Sequence, residues 1–163
     1  MDLKLFLVRH AKSSWVETQL DDFDRPLSKR GKRNAPKMAI HLKDGNYMIN
    51  EFVSSPALRA RQTAELMLEE MSIDKKSIRF EDDLYHGYVD NFLNVLKRCR
   101  GNSIVIFGHN PGIQSFSQWL CSEPNNNFPT CGIAQIQILI QNWTKLRANC
   151  GKLISFDYPK KNN

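Results

Sequence analysis

The 163-residue chain lacks any apolar run long enough to carry a helix across a bilayer, so no membrane anchor is expected. A secretory leader is not expected either. Met1 to Val8 is apolar, but Lys4 interrupts it and Arg9-His10 ends it before a signal core or small-residue cleavage site could follow. Cysteine is sparse: Cys99, Cys121, Cys131 and Cys150 form no Cys-x-x-Cys pair and no zinc-type spacing with the four histidines. They read as buried or surface thiols of a reducing compartment, and a cytoplasmic location is expected. The formal net charge of +6 comes with no basic-aromatic stripe and no nucleic-acid motif. The basic residues read as scattered, some lining a pocket for an anion and the rest solvated, so nucleic acid is not an expected partner. No repeat is present, and the only biased stretches are Asn125-Asn126-Asn127 and the tail from Lys160 to Asn163.

What is there is ordinary for one globular unit: 41% hydrophobic and 25% charged residues, with residues 1–163 most simply read as one domain. Leu5-Phe6-Leu7-Val8 predicts a short buried strand ending in Arg9-His10, with Ser13 and Ser14 suiting a turn whose N–H groups could face an anion. Ser28 reads as the N-cap of a helix with Ala35, Met38, Ala39 and Leu42 at helical spacing, Pro36 inside it and Gly45-Asn46 as its stop. A strand at Glu51 to Ser54 precedes a helix to Glu70 with Pro56 in its first turn. Ile78 to Phe80 predicts a strand, Asp90 to Arg100 a helix ended by Gly101, and Ile104 to Phe107 the central strand. Pro111 opens a helix to Leu120, and Ser122 to Asn127 reads as a loop. Ala134 to Ile140 and Lys152 to Phe156 predict a closing hairpin. The alternation predicts a three-layer α/β/α sandwich, mostly parallel with an antiparallel edge.

Three of these strands end in chemistry. The first delivers Arg9 and His10, the second leads into Ser55-Pro56-Ala57-Leu58-Arg59-Ala60-Arg61-Gln62-Thr63, and the central one stops at Gly108-His109-Asn110-Pro111. Strand C-terminal ends are where open α/β sheets bind ligands. Arg61, two positions after Arg59 on a helix, is expected at the surface.

These motifs resemble the histidine phosphatase superfamily, whose fold is phosphoglycerate mutase-like. Arg9-His10-Ala11-Lys12-Ser13-Ser14-Trp15 and Asp21-Asp22-Phe23-Asp24-Arg25-Pro26-Leu27-Ser28-x-Arg30-Gly31 resemble its SixA-type phosphohistidine phosphatases in particular. The resemblance implies that His10 becomes phosphorylated while Arg9, Arg59 and His109 bind the transferring group. It implies neither metal nor other cofactor. The chemistry is consistent: phosphoryl transfer asks for in-line positioning and donors around charged oxygens, which planar guanidinium forks supply. A neutral imidazole offers a free ring nitrogen as nucleophile, best aimed if a backbone carbonyl takes its Nδ1–H. His109 is expected to act as a positively charged donor.

Two departures from the family pattern matter. Val16 stands where mutase-like members carry asparagine after the tryptophan, so Lys12, Ser14 or Arg25 is expected to complete the phosphate pocket, Arg25 alternatively serving as a structural ion pair. The carboxylate that protonates alcohol leaving groups falls at His86, which leaves Asp82, Asp83 or His86 as candidate donors, the aspartates alternatively being only solvated. Imidazole leaves more readily than an alkoxide, so the missing acid and an expected open pocket suit phosphohistidine on a histidine-phosphotransfer type of protein. The alternatives are a phosphomonoesterase for a small phosphorylated metabolite, and a non-catalytic module binding phosphate- or sulfate-type anions.

Overall fold

The structure is a computed structural model describing residues 2–43, 48–122 and 127–161. Strands Leu3–Arg9 (β1), Glu51–Ser54 (β2), Ile78–Phe80 (β3), Ser103–Gly108 (β4), Ile133–Ile138 (β5) and Gly151–Asp157 (β6) form one sheet in the order β3-β2-β4-β1-β5-β6. The first four lie parallel, β5 runs antiparallel to β1 and β6 antiparallel to β5. This is the expected mostly parallel sheet with an antiparallel edge.

Side chains alternate across the strands, so each strand feeds two apolar layers. Leu5, Leu7, Ile104 and Ile106 face helices Val89–Lys97 (α3) and Gly112–Cys121 (α4) through Phe92, Leu96, Phe116 and Leu120. Phe6, Val8, Val105 and Phe107 face helices Lys29–Lys43 (α1) and Leu58–Glu70 (α2) through Met38, Leu42, Met67 and Leu68. With about 1.5–3 kcal/mol gained per fully buried side chain of this size, the two layers pin the strand register.

Local signals behave as chemistry dictates. Ser28 caps α1, its Oγ accepting from Gly31 N at 3.1 Å and its carbonyl from Lys32 N at 3.0 Å, and the helix runs on through Pro36. Other boundaries differ from expectation. Pro56 lies ahead of the α2 cap at Ala57 rather than in the first turn. α3 stops at Lys97, short of Arg100, because the Glu51 carboxylate draws the Arg100 and Gly101 N–H groups to it at 2.6 and 2.7 Å. β5 ends at Ile138, not Ile140. The helix stop at Gly45-Asn46 and residues 123–126 of the expected loop lie outside the described residues.

Register sets the site. Arg9 pairs with Gly108 and Ser54 with Phe107, so β1, β2 and β4 finish at one edge and release His10, Ser55 and His109 side by side.

Candidate active site

The two imidazoles meet at that edge, with ring centroids 5.1 Å apart. Each is only 6% exposed. His10 Nδ1–H donates to the Ala11 carbonyl at 2.7 Å, which fixes the tautomer and leaves Nε2 bare. Ala11 is fixed in turn, its N–H donating to Thr63 Oγ1 at 2.9 Å while the Thr63 hydroxyl donates to the Arg59 carbonyl at 2.7 Å. One threonine on α2 thus ties the nucleophile's loop to the helix turn bearing Arg59.

His109 Nε2 lies 2.8 Å from Ser55 Oγ. Ser55 Oγ also accepts from Ala57 N at 3.2 Å, and with its hydroxyl proton given to Nε2 the His109 ring proton sits on Nδ1. His109 Nδ1 and Arg9 Nε are both buried without a hydrogen-bond partner in the protein. An oxyanion between the imidazoles suits both donors, since orphaned buried donors are costly.

Three guanidinium groups lie close enough to depress the His10 pKa: Arg59, Arg9 and Arg25. Arg9 Nη1 donates to the Phe128 carbonyl at 2.7 Å. Arg59, 6% exposed, donates through Nη1 to the Asp22 carbonyl at 2.6 Å and through Nη2 to Asp22 Oδ2 at 3.0 Å. Arg25 donates to Ser13 Oγ at 2.6 Å and Asp22 Oδ1 at 3.2 Å, and its Cζ sits 3.2 Å over the Trp15 ring. It serves as the structural ion pair while keeping its charge near His10.

Burial sets the protonation states. Desolvation, with the three arginines adding to it and the Ala11 bond opposing, holds His10 down at about 3. Desolvation, then His10 and Arg59, hold His109 down at about 2. The expected cationic His109 is therefore not the state of the free site. Burial pushes the Asp22 carboxyl up, but hydrogen bonds from Tyr85 and Arg59 outweigh it and keep Asp22 ionised well below the usual carboxylate range.

Asp22 and Tyr85 are the residues that motif reading missed. Tyr85 donates to Asp22 Oδ2 at 2.7 Å and sits edge-on to His109, with centroids 5.6 Å apart. The Tyr85–Asp22–Arg59 bridge thus runs beside His109, joining the loop before Arg25 to the first turn of α2. The Asp22 side chain is 44% exposed, whereas the imidazoles beside this bridge are buried. The signal for Asp22 was an acid-rich run just before Arg25.

Other candidates scatter. Lys12 is exposed, and its carbonyl accepts from Ser28 N at 2.8 Å. Ser14 Oγ turns back to Val16 N at 3.2 Å rather than to the pocket. Asp82 is exposed, while Asp83 accepts from Asn91 at 3.5 Å and lies 3.8 Å from Arg98, on the α3 side. His86 packs against Tyr85, with ring centroids 4.0 Å apart and the planes tilted by 41°, and lies near enough to influence the His109 pKa. Arg61 pairs with Glu65 along α2 at 2.9 Å, away from the pocket as expected. Among the described residues no cluster of three or more His, Cys, Asp or Glu could hold a metal ion, and no helix is long and apolar enough to cross a membrane.

A three-layer α/β sandwich with two buried imidazoles and an arginine-rich cradle at its strand ends defines a class of enzymes that act on phosphoryl groups. The chain belongs to the histidine phosphatase superfamily, branch 1, whose profile matches residues 5–86, and it is a phosphatase. Among solved structures it is similar to a SixA protein from Agrobacterium tumefaciens assigned as a phosphohistidine phosphatase, at 26% identity and TM-score 0.79, covering 98% of this chain and 99% of that one. A second protein so assigned, from Nakamurella multipartitia, matches at 25% identity and TM-score 0.81, with 98% of each chain covered. An uncharacterised chloroplast protein of Arabidopsis thaliana is 28% identical over 91% of this chain and 72% of its own length.

Proposed function

We propose that the protein is a metal-independent phosphatase that transfers a phosphoryl group from a phosphohistidine side chain of a signalling protein to His10 and then to water. The observation that carries this reading is the 2.7 Å bond from His10 Nδ1 to the Ala11 carbonyl. It leaves an unprotonated Nε2 beside His109 and within the field of Arg9, Arg25 and Arg59. The Nε2–P bond forms as the substrate P–N bond breaks, and the departing imidazole takes up a proton from solvent. Water then attacks phosphorus, the Nε2–P bond breaks, and inorganic phosphate leaves as a proton returns to solvent. Arg9, Arg59 and His109 Nδ1–H hold the equatorial oxygens, and Arg25 adds positive field near His10. The SixA assignments of the similar structures support the substrate class. Four cysteines that form no disulfide support a reducing, cytoplasmic setting.

A small phosphate ester is the second reading, favoured by His86. It stands next to Tyr85 near His109 and can protonate an alkoxide, whereas Asp83 is engaged by Arg98 and Asn91 and Asp82 faces solvent. Rapid quench with phosphohistidine protein, followed by mass spectrometry, is expected to find acid-labile phosphate on His10 and none in His10→Ala, which retains part of the anion affinity. Full activity of His10→Ala on an aryl phosphate overturns the nucleophile. Clear preference for a sugar phosphate over phosphohistidine protein overturns the substrate.

A further inference from the structure

Helix α1 carries Lys29, Arg30, Lys32, Arg33, Lys37 and Lys43 and no carboxylate, so its charge equals the +6 of the whole chain, and the remaining Lys and Arg are balanced by the 17 Asp and Glu. All six cations are exposed. Four of them crowd the first turns, where the helix dipole already presents positive charge and acidic residues would be the stabilising choice. That placement is unfavourable for the isolated helix and favourable for holding a polyanionic surface.

Among the described residues, two carboxylates beside α1 are already engaged. Asp157 lies 3.6 Å from His41 and 3.5 Å from Lys161. Glu65, which lines a cleft with Lys32, is paired with Arg61. Asp21 and Asp24 are exposed, but they precede the helix on the segment that carries Asp22. Beside α1 runs a cleft of about 290 Å³ lined by Arg30, Asn34, Asn127, Thr130, Tyr158 and Lys160. A second, of about 340 Å³, continues along Lys37 and His41.

The chain segment that walls this cleft, through Asn127, Pro129 and Thr130, is bonded to the active-site loop by its neighbours. Phe128 accepts from Arg9, and Cys131 N donates to the carbonyls of Arg9 and His10 at 3.1 and 3.0 Å. At the α1 end, Ser28 binds the Lys12 carbonyl, and a Cβ on Gly31 would stand 2.2 Å from that oxygen. The start of α1 and the cleft wall are thus each anchored to the nucleophile loop.

Resting on the proposed phosphohistidine phosphatase activity, we infer that the exposed face of α1 and its cleft form a docking site for the acidic surface of the phosphorylated protein substrate. A small phosphate ester would be gripped wholly by the buried arginines and would gain nothing from six cations along a helix. Ile40, half exposed among these cations, fits a protein contact better than a nucleic-acid backbone. Such a surface raises the encounter rate with an anionic partner and loses that effect as salt screens it.

The test compares wild type with the Arg30→Glu/Arg33→Glu/Lys37→Glu variant on two substrates. One is free phosphohistidine, and the other is a histidine-phosphotransfer domain of net negative charge, phosphorylated with phosphoramidate. The variant is expected to lose roughly ten-fold or more in kcat/KM on the domain and to match wild type on free phosphohistidine, which also reports that it is folded. Wild type is expected to lose the same advantage as salt rises from about 0.05 M to about 0.5 M. Equal kcat/KM of variant and wild type on the domain overturns the docking site and leaves the catalytic reading standing. Failure of wild type on both substrates overturns the catalytic reading and the docking site with it. Tighter binding of wild type to a short duplex RNA or to anionic vesicles than to the domain overturns the choice of a protein partner.

Discussion

Asp22 shows how one side chain can govern a site it does not name. Its carboxylate links Arg59, Arg25 and Tyr85, so two of the cations meant for an oxyanion are held by an internal anion in the free protein. The two imidazoles are held neutral by burial, His10 at about 3 and His109 at about 2. Both features act on acid stability in the same direction. The unfolded histidines take up protons below about 6.5 while the folded ones refuse them, so stability present at neutral pH is lost as pH falls from about 6.5 towards the folded values. Asp22, held below its unfolded value of about 3.9, adds stability that is lost only below that pH. The melting temperature is therefore expected to fall on going from pH 7.5 to 5, and the His109→Gln variant to show a shallower fall. An unchanged melting temperature in that window overturns the protonation states assigned to the pair. His10, Arg9, Arg59 and His109 were legible because each stands in a motif at a strand end. Asp22 and Tyr85 were not, since their role depends on loops distant in sequence folding over one another.

At the scale of elements, the site depends on how β1 and α2 are joined. Thr63, fully buried in the second turn of α2, receives the Ala11 N–H and donates to the Arg59 carbonyl. Replacing it with valine keeps the shape but leaves the Ala11 N–H buried without a partner, at a cost of about 1–3 kcal/mol. Because the Ala11 carbonyl also aims the His10 ring, Thr63→Val is expected to lower kcat several-fold along with the melting temperature. A stability loss with unchanged kcat would show that the ring is held by other means. Most elements were legible from periodicity and caps: Ser28 starts α1, and β2 and β3 fall at the expected residues. The misplaced ends have tertiary causes, as at α3, where a carboxylate from β2 takes N–H groups that a longer helix would have used.

For the whole molecule, alternation told that there would be a sheet with two covered faces, but the order β3-β2-β4-β1-β5-β6 rests on long-range pairing that no local period encodes. The basic excess, read along the chain as scattered, stands on a single helix once folded. No disulfide joins the four cysteines, of which Cys99, Cys131 and Cys150 are buried and Cys121 half-buried. Burial pushes Cys99 up to about 11 and Cys131 up to about 12, so at neutral pH neither supplies the thiolate that disulfide exchange requires. The fold is therefore expected to be held by its two apolar layers alone. A cross-link adds about 2–4 kcal/mol, and each kcal/mol moves the melting temperature of a domain this size by about 2–4 °C, so a hidden disulfide would shift it by about 4–16 °C. Melting curves with and without reductant are expected to coincide within about 2 °C. A drop of about 5 °C or more on adding reductant would mean that a bridge stabilises the protein in solution. Coincident curves leave burial of the two layers as the term that sets stability, so trimming a side chain at the heart of one of them, such as Phe116 stacked at 4.7 Å on Phe92 beneath α3 and α4, should matter more than any redox condition.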